Sequence, residues 1–327
     1  MGFTILHKMW YFLLLWPVLF NIVNKEYTKY YIYAFLSAMA LTEIISYLIW
    51  FEAIPPFKNA LTSSNPTPFM SHISFNPFLA FTIYVVIHEV LFNKKLNKLM
   101  LGLYSFFSVA LIFNMFITGG RAGQVVFFVM IIILILQYFQ KQKLKAIIAT
   151  IILLPAIFIT AYHTSPIFNQ RANLAFQELV KYDKNRVAIN QSVVSSVGAR
   201  ILFANNSWAV IKENSLLGVG TGDFPTEYLR INVINSPTSP SVTNPHNMYL
   251  LVLVQSGIVG LLSMLSIFYY QIKLSFKESN RFFCDLGFAL PLLFLVIMLS
   301  DSYLLGHYTS LLFVFFSSFL YKNFEKD

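Results

Sequence analysis

One cysteine, Cys284, stands alone in 327 residues, so no intrachain disulfide framework or thiolate zinc site can form. Charge is scarce as well: Asp, Glu, Lys and Arg make up 11% of the chain, against roughly 25% in soluble domains. With apolar residues at 57% and a mean hydropathy of +0.64, that shortage excludes an ordinary soluble domain. No stretch alternates apolar and polar residues as a membrane barrel strand does, and the chain has no internal repeat or low-complexity tract.

What fills the sequence is long apolar runs. Nine are near the ~20 residues a helix needs to cross hydrocarbon, at about 5–23, 30–51, 75–92, 99–118, 122–139, 145–162, 247–270, 283–300 and 303–321. They predict an all-α, polytopic integral membrane protein with about nine transmembrane helices. The first run is too long for a cleaved leader, is interrupted by Trp10 and Trp16, and lacks a small-residue cleavage pattern after it. The 18 Tyr and 34 Phe are first of all a lipid-facing and interfacial signal.

Short connections on one side hold Lys25, Lys29, Lys94, Lys95, Lys98, Lys141, Lys143, Lys145, Lys273, Lys277, Arg281, Lys322 and Lys326; the other side holds only Lys8, Lys58 and Arg121. Basic short loops stay in the cytoplasm, which puts the C-terminus inside and the long segment 163–246 outside. The net charge of +9 is therefore a topology signal rather than a nucleic-acid footprint. Three parts follow: a six-helix part at 1–162, an external loop at 163–246, and a three-helix part at 247–327. The loop carries 12 of the 37 formal charges. Within it, 172–181 suits a helix, and 200–214 suits one better, with Ile201, Ala204, Trp208 and Ile211 recurring on one predicted apolar stripe.

The run Gly218-Val219-Gly220-Thr221-Gly222-Asp223 lacks the Lys-Ser/Thr of a nucleotide-phosphate loop and reads as a structural turn. Arg121 opens an apolar run at the external mouth, where a guanidinium needs an anion, water or a structural ion pair. Arg200 is either a solvated loop charge or a second cation near the same surface. His246, in Asn244-Pro245-His246-Asn247, either marks the entry to a helix or is an imidazole at the bilayer surface that exchanges protons with a lipid-borne substrate. Two external arginines and a histidine suit glycosyl transfer from a lipid diphosphate: forked donors for phosphate oxygens and a base for the attacking hydroxyl. Glu43, inside the second span, is a functional suspect by position or pairs with a neighbouring helix or a water; Asp301 and His307 flank the last external turn and either cap helices, the first reading, or contact the active site. His88, Glu89 and Asp285 lie near span ends on the basic side and read as interfacial or capping groups.

Gly218-Val219-Gly220-Thr221-Gly222-Asp223-Phe224, then Asn244-Pro245-His246-Asn247-Met248-Tyr249-Leu250, then Ser256-Gly257-Ile258-Val259-Gly260-Leu261-Leu262 resemble the C-terminal signature region of the O-antigen ligase and polymerase superfamily. The corner Thr118-Gly119-Gly120-Arg121-Ala122-Gly123 is similar to that family's arginine motif, and the resemblance covers roughly residues 70–321. It implies an inverting glycosyltransferase with no metal and no cofactor, on the periplasmic face of a bacterial inner membrane, whose donor is a glycan on undecaprenyl diphosphate. The acceptor would be a lipid A-core hydroxyl in a ligase, or another lipid-linked repeat unit in a polymerase. By motif, His246 would be the base and Arg121 and Arg200 would hold the diphosphate, with Asn244, Asn247 and Asp223 in support. Members carry several more helices ahead of the arginine motif, which implies a shortened member or an incomplete N-terminus here. A transporter or flippase, the third alternative, calls for inverted repeats, broken helices and several mid-span charges; the sequence offers only Glu43.

Overall fold

The computed structural model describes residues 2–57, 65–180 and 196–322, which form helices and no strand. The first run is α1 (Gly2–Lys8), a π-helical turn (Tyr11–Leu15) and α2 (Trp16–Ile22). Then come α3 (Thr28–Trp50), α4 (His72–Phe92), α5 (Lys98–Ile117), α6 (Arg121–Tyr138) and α7 (Lys143–Thr164). The external segment contributes α8 (Pro166–Val180), α9 (Ser196–Glu213) and α10 (Phe224–Asn235); α11 (Met248–Ser275), α12 (Arg281–Ile297) and α13 (His307–Leu320) close the chain. The expected helix at 172–181 falls in α8, apart from Lys181, which lies outside the described residues.

Among the described residues, seven helices are long and apolar enough to cross a membrane. Where the apolar residues point supports a lipid setting. Helix α7 leaves Leu144, Ile151 and Ile152 about two-thirds exposed, as a helix facing lipid does. Helix α4 sits in the middle of the bundle, with Phe75, Leu79, Tyr84 and Val86 fully buried. Leu290 and Phe294 of α12 and Phe313 and Phe316 of α13 complete that core.

The two last expected spans come out shorter than the apolar runs that announce them. Helices α12 and α13 have 17 and 14 residues, so they reach only about 25 and 21 Å at ~1.5 Å per residue, short of the ~30 Å of hydrocarbon. Residues 298–306 are spent instead on a bend and a 3₁₀ turn, Tyr303–Leu305. There Ser300, Asp301 and Ser302 interrupt the helix, while the flanking leucines keep the averaged hydropathy high.

On the external side, Phe203, Val210, Ile211, Phe224, Tyr228, Ile231, Leu251 and Val254 form a second core joining α9, α10 and the start of α11. The buried face of α9 includes Ile211 of the predicted stripe and otherwise differs from it. Phe203, Asn206, Ser207 and Val210 face inward, whereas Trp208 is half exposed. Hydrogen bonding is the reason: the Asn206 amide donates toward Tyr228, Asn232 and Ser236, and Ser207 donates to the Phe203 carbonyl. Satisfied polar groups of this kind are buried readily, and an apolar stripe alone does not reveal them.

Helix α11 is broken at Gly257 (φ 60°, ψ −161°). The helical bonds that would link residues 258 and 259 to 254 and 255 are replaced by the segment before α10. Val219 and Gly220 donate to the carbonyls of Val254 and Gln255, and Ile258 and Val259 donate to those of Ser215 and Leu216. The glycine turn, with positive φ at Gly218, Gly220 and Gly222, is thus the structural plug of the break, and the carbonyls of 254 and 255 and the N–H groups of 258 and 259 find partners there. Contact is backbone to backbone: a Cβ on Gly257 would lie 2.2 Å from the Leu216 oxygen, and one on Gly218 would lie 2.4 Å from the Gln255 carbonyl carbon. Gly257→Ala should destabilise the protein by about 1–3 kcal/mol from backbone strain alone, with the clash added. A thermal unfolding midpoint in detergent equal to wild type would contradict this account.

Candidate functional site

The arginine corner is built by close approach. Gly120 precedes α6 and Gly123 lies in its first turn; a Cβ on either would fall 2.6 or 2.2 Å from side-chain atoms of Asn76 on α4. Glycine at both positions lets the start of α6 lie against α4, which fixes Arg121 at the first helical position. The Gly119 N–H donates to Asn65 Oδ1 at 3.1 Å and tethers the corner from the other side. Arg121 Nη1 approaches Glu178 Oε2 of α8 at 3.4 Å, and the two side chains are only 25% and 15% exposed. Glu178 also accepts from the Val197 N–H at the start of α9.

A cleft of about 420 Å³ opens beside this corner, and its wall includes Arg121, Arg171 of α8, Arg200 of α9 and Asp301. The two arginines singled out from the sequence therefore share one cavity. Arg171 joins them without any signal of its own in the sequence. Its guanidinium lies over Gly119, 3.5 Å from where a Cβ would stand. Three guanidinium groups against Asp301 and the Glu178 beside Arg121 leave the cleft electropositive, and the N-terminal end of α6 adds partial positive charge in the same place. Forked donors from three helices suit a ligand with several phosphate oxygens.

His246 does not line this cleft; it connects to it through Asp301. Its Nδ1 stands 3.3 Å from Asp301 Oδ2, longer than a well-formed hydrogen bond, though apo catalytic contacts commonly tighten once substrate binds. Asn244 holds both partners: its Oδ1 accepts from the His246 N–H at 3.0 Å and from Ser302 Oγ at 2.9 Å, and its Nδ2 donates to Asp301 Oδ1 at 3.2 Å. Asn247 caps α11 by accepting from the Leu250 N–H and donates to the Leu299 carbonyl at 3.0 Å. The two asparagines thus lace the motif to the 298–306 turn. His246 itself has φ 51°, a left-handed conformation rare for a side chain with a Cβ; such strain persists where surrounding bonds over-determine it. Its ring lies near-parallel to Phe203 at 6.1 Å.

Burial pushes the Asp301 carboxyl up, but the hydrogen bond from His246, the Ser302 N–H and the charges of His246 and Arg200 outweigh it and hold the group below its ordinary range. Asp301 is therefore an anion at neutral pH, and its carboxylate faces Nδ1, so in the neutral form of the ring Nδ1 carries the proton and Nε2 keeps its lone pair. Nε2 has no partner among the described residues, and the side chain is 43% exposed.

Residues 106–265 match the family model for O-antigen ligase. Over that stretch the chain is similar to the O-antigen ligase family. The O-antigen ligase match takes in Arg121, Arg171, Arg200 and His246 and ends before Asp301. A relative described as an uncharacterized protein of Haemophilus influenzae (strain ATCC 51907 / DSM 11121 / KW20 / Rd) is 30% identical over 234 residues, 68% of this chain and 56% of the relative. The chain thus spans little more than half the length of that relative.

Of the other residues that the sequence singles out, Asp223 is exposed at the N-cap of α10 and lines none of the cleft. Glu43 lies between helices, buried and accepting from Asn114 at 2.9 Å. His307 bonds Tyr11 of the first helix run. Asp301, for which the sequence left capping and contact with the site open, carries the contact between imidazole and cleft.

Proposed function

We propose that the chain is a glycosyltransferase that moves a glycan from undecaprenyl diphosphate to an acceptor hydroxyl at the periplasmic face of a bacterial inner membrane, with a lipid A-core sugar as the acceptor. The observation that carries this reading is the convergence of Arg121, Arg171 and Arg200 on one cleft walled by the Asp301 that contacts His246. The diphosphate lies among the arginines. An acceptor hydroxyl comes to the exposed side of His246, and Nε2 takes its proton as the oxygen attacks the anomeric carbon. The bond from that carbon to the diphosphate oxygen breaks, and the diphosphate leaves with the electron pair, carrying one more negative charge than before. Asp301 holds the ring and steadies the imidazolium.

The family description favours a ligase over a polymerase, and the glycan profile of cells lacking the gene separates the two. A ligase leaves no polymer on the lipid A-core while polymer accumulates on the carrier. A polymerase leaves a single repeat on the core. The break in α11 gives no support to a transporter, because the glycine turn already pairs its open backbone groups, whereas transporters leave such groups to the substrate and ions.

Asp301→Asn should lower kcat by roughly 10²- to 10⁴-fold with donor KM little changed, since the amide accepts a hydrogen bond but supplies no charge to the imidazolium. Equal losses in kcat and in folded yield would mark Asp301 as merely structural. Its depressed carboxyl also contributes stability that is present above about pH 4 and is lost as pH falls through the lower folded value. Acid unfolding of wild type should therefore carry a step in that range that Asp301→Asn lacks.

A further inference from the structure

At the opposite, lysine-rich end of the bundle, a second cleft of about 290 Å³ opens between the start of α3, the end of α4 and the start of α12. It belongs to no part of the machinery described above. Lys29, Arg281, Glu89 and His88 line it, together with the rings of Tyr33 and Phe92.

His88 is 2% exposed, and its Nε2 meets Asp285 Oδ2 at 2.9 Å. With a carboxylate on that side, Nε2 donates, and in the neutral ring Nδ1 is an acceptor. Nδ1 is buried and has no partner, a situation rare enough in folded proteins to call for one. Arg281 is built in rather than solvated. Its guanidinium lies 4.2 Å over the Phe92 ring, its Nη2 donates to the Gln137 carbonyl at 2.9 Å, and its Nε approaches Asp285 at 3.4 Å. Nη1 has no partner among the described residues, and neither has Lys29. On the other side of the ledger of charge, Glu89 accepts from Asn93 through Oε2 only, leaving Oε1 open.

The cleft therefore offers donors and acceptors of opposite sign in one space. A simple anion would satisfy Lys29 and Arg281 but would face Glu89 and the lone pair of His88. A simple cation would leave Lys29 opposed. A group with a phosphate at one end and a primary ammonium at the other satisfies all four: phosphate oxygens on Lys29 and Arg281 Nη1, ammonium N–H groups on Glu89 Oε1 and His88 Nδ1. All three helices end here, at head-group depth of the bilayer, where basic pockets between helices hold lipid head groups, and the aromatic rim suits glycerol and the first acyl carbons. We propose that this cleft binds an aminophospholipid, a bilayer lipid with a phosphoethanolamine head group.

The test uses the full-length chain, delipidated in detergent and offered an equimolar mixture of phosphatidylethanolamine, phosphatidylcholine and phosphatidylglycerol with identical acyl chains. Retained lipids are counted by native mass spectrometry. Phosphatidylcholine has no ammonium N–H to give, and phosphatidylglycerol has no ammonium. One phosphatidylethanolamine should be retained about tenfold over either competitor. Glu89→Gln should bring the ethanolamine-to-choline ratio toward one, and Lys29→Ala should cut retention of all three lipids. Equal retention of the three by wild type would overturn the proposal without reference to any variant. So would an unchanged ratio in a folded Glu89→Gln protein. Displacement of the bound lipid by soluble phosphoethanolamine at matched concentration would overturn the lipid assignment in favour of the free head group.

Discussion

His246→Ala is expected to yield a folded, inserted protein whose transfer rate has fallen by roughly 10²- to 10⁴-fold, the usual share of a general base. Folding should survive because the side chain is 43% exposed, and the ties of the motif to its surroundings run through Asn244 and Asn247 rather than through the ring. The left-handed φ of 51° is the one risk, since alanine dislikes that conformation. His246→Asn removes this ambiguity: asparagine visits left-handed φ readily and brings no base. Both variants should therefore lose transfer, and the asparagine variant should match wild type in thermal midpoint. Normal surface glycan in cells carrying only either variant would rule out His246 as the base.

That the histidine stands out in the sequence, while its partner reads first as a helix cap, follows from the physics of each. An imidazole next to Pro245 and ahead of a long apolar run is visible in one dimension, because the membrane fixes where such a run begins. Arg121 is visible for the same reason, as a cation opening an apolar helix between glycines. Asp301 sits 55 residues beyond His246 in a polar bend, and only the packing of α11 on α12 brings the two together. Arg171 was one of seven basic residues in the external loop; its place over Gly119 is a tertiary fact with no local periodicity behind it.

The same distinction applies to the fold. Apolar length announced the bundle, since lipid demands helices wherever backbone would otherwise go unpaired. Hydropathy averaged over a window could not register three polar residues at 300–302 ending α12 early. Nor could it tell that Asn206 turns inward because Asn232 and Ser236 await it. The two glycine motifs were legible as motifs, while their shared purpose was not. Gly218 and Gly257 are separated by 39 residues and meet because a broken helix needs another backbone to complete its hydrogen bonds.

Arg121→Lys should reduce transfer by roughly 10²- to 10³-fold, the loss seen when one preorganised donor to a developing anion is removed. Charge is conserved in this variant, so the effect isolates the fork: lysine presents a point charge, whereas guanidinium spans two oxygens of one phosphate. In the free protein Arg121 is held by Glu178 across 3.4 Å in a partly exposed pair, and such pairs are worth only about 0–1 kcal/mol. A diphosphate with more charge and two more cations beside it outcompetes one carboxylate easily, so Glu178 keeps the guanidinium in position without locking it away. Because the departing diphosphate gains a negative charge, the arginines bind the transition state better than the ground state, and the loss should appear mainly in kcat. Arg171→Lys should behave alike, since its guanidinium shares the cleft, although no sequence motif marks it. Wild-type donor affinity and wild-type turnover in both purified variants would remove the diphosphate from this cleft.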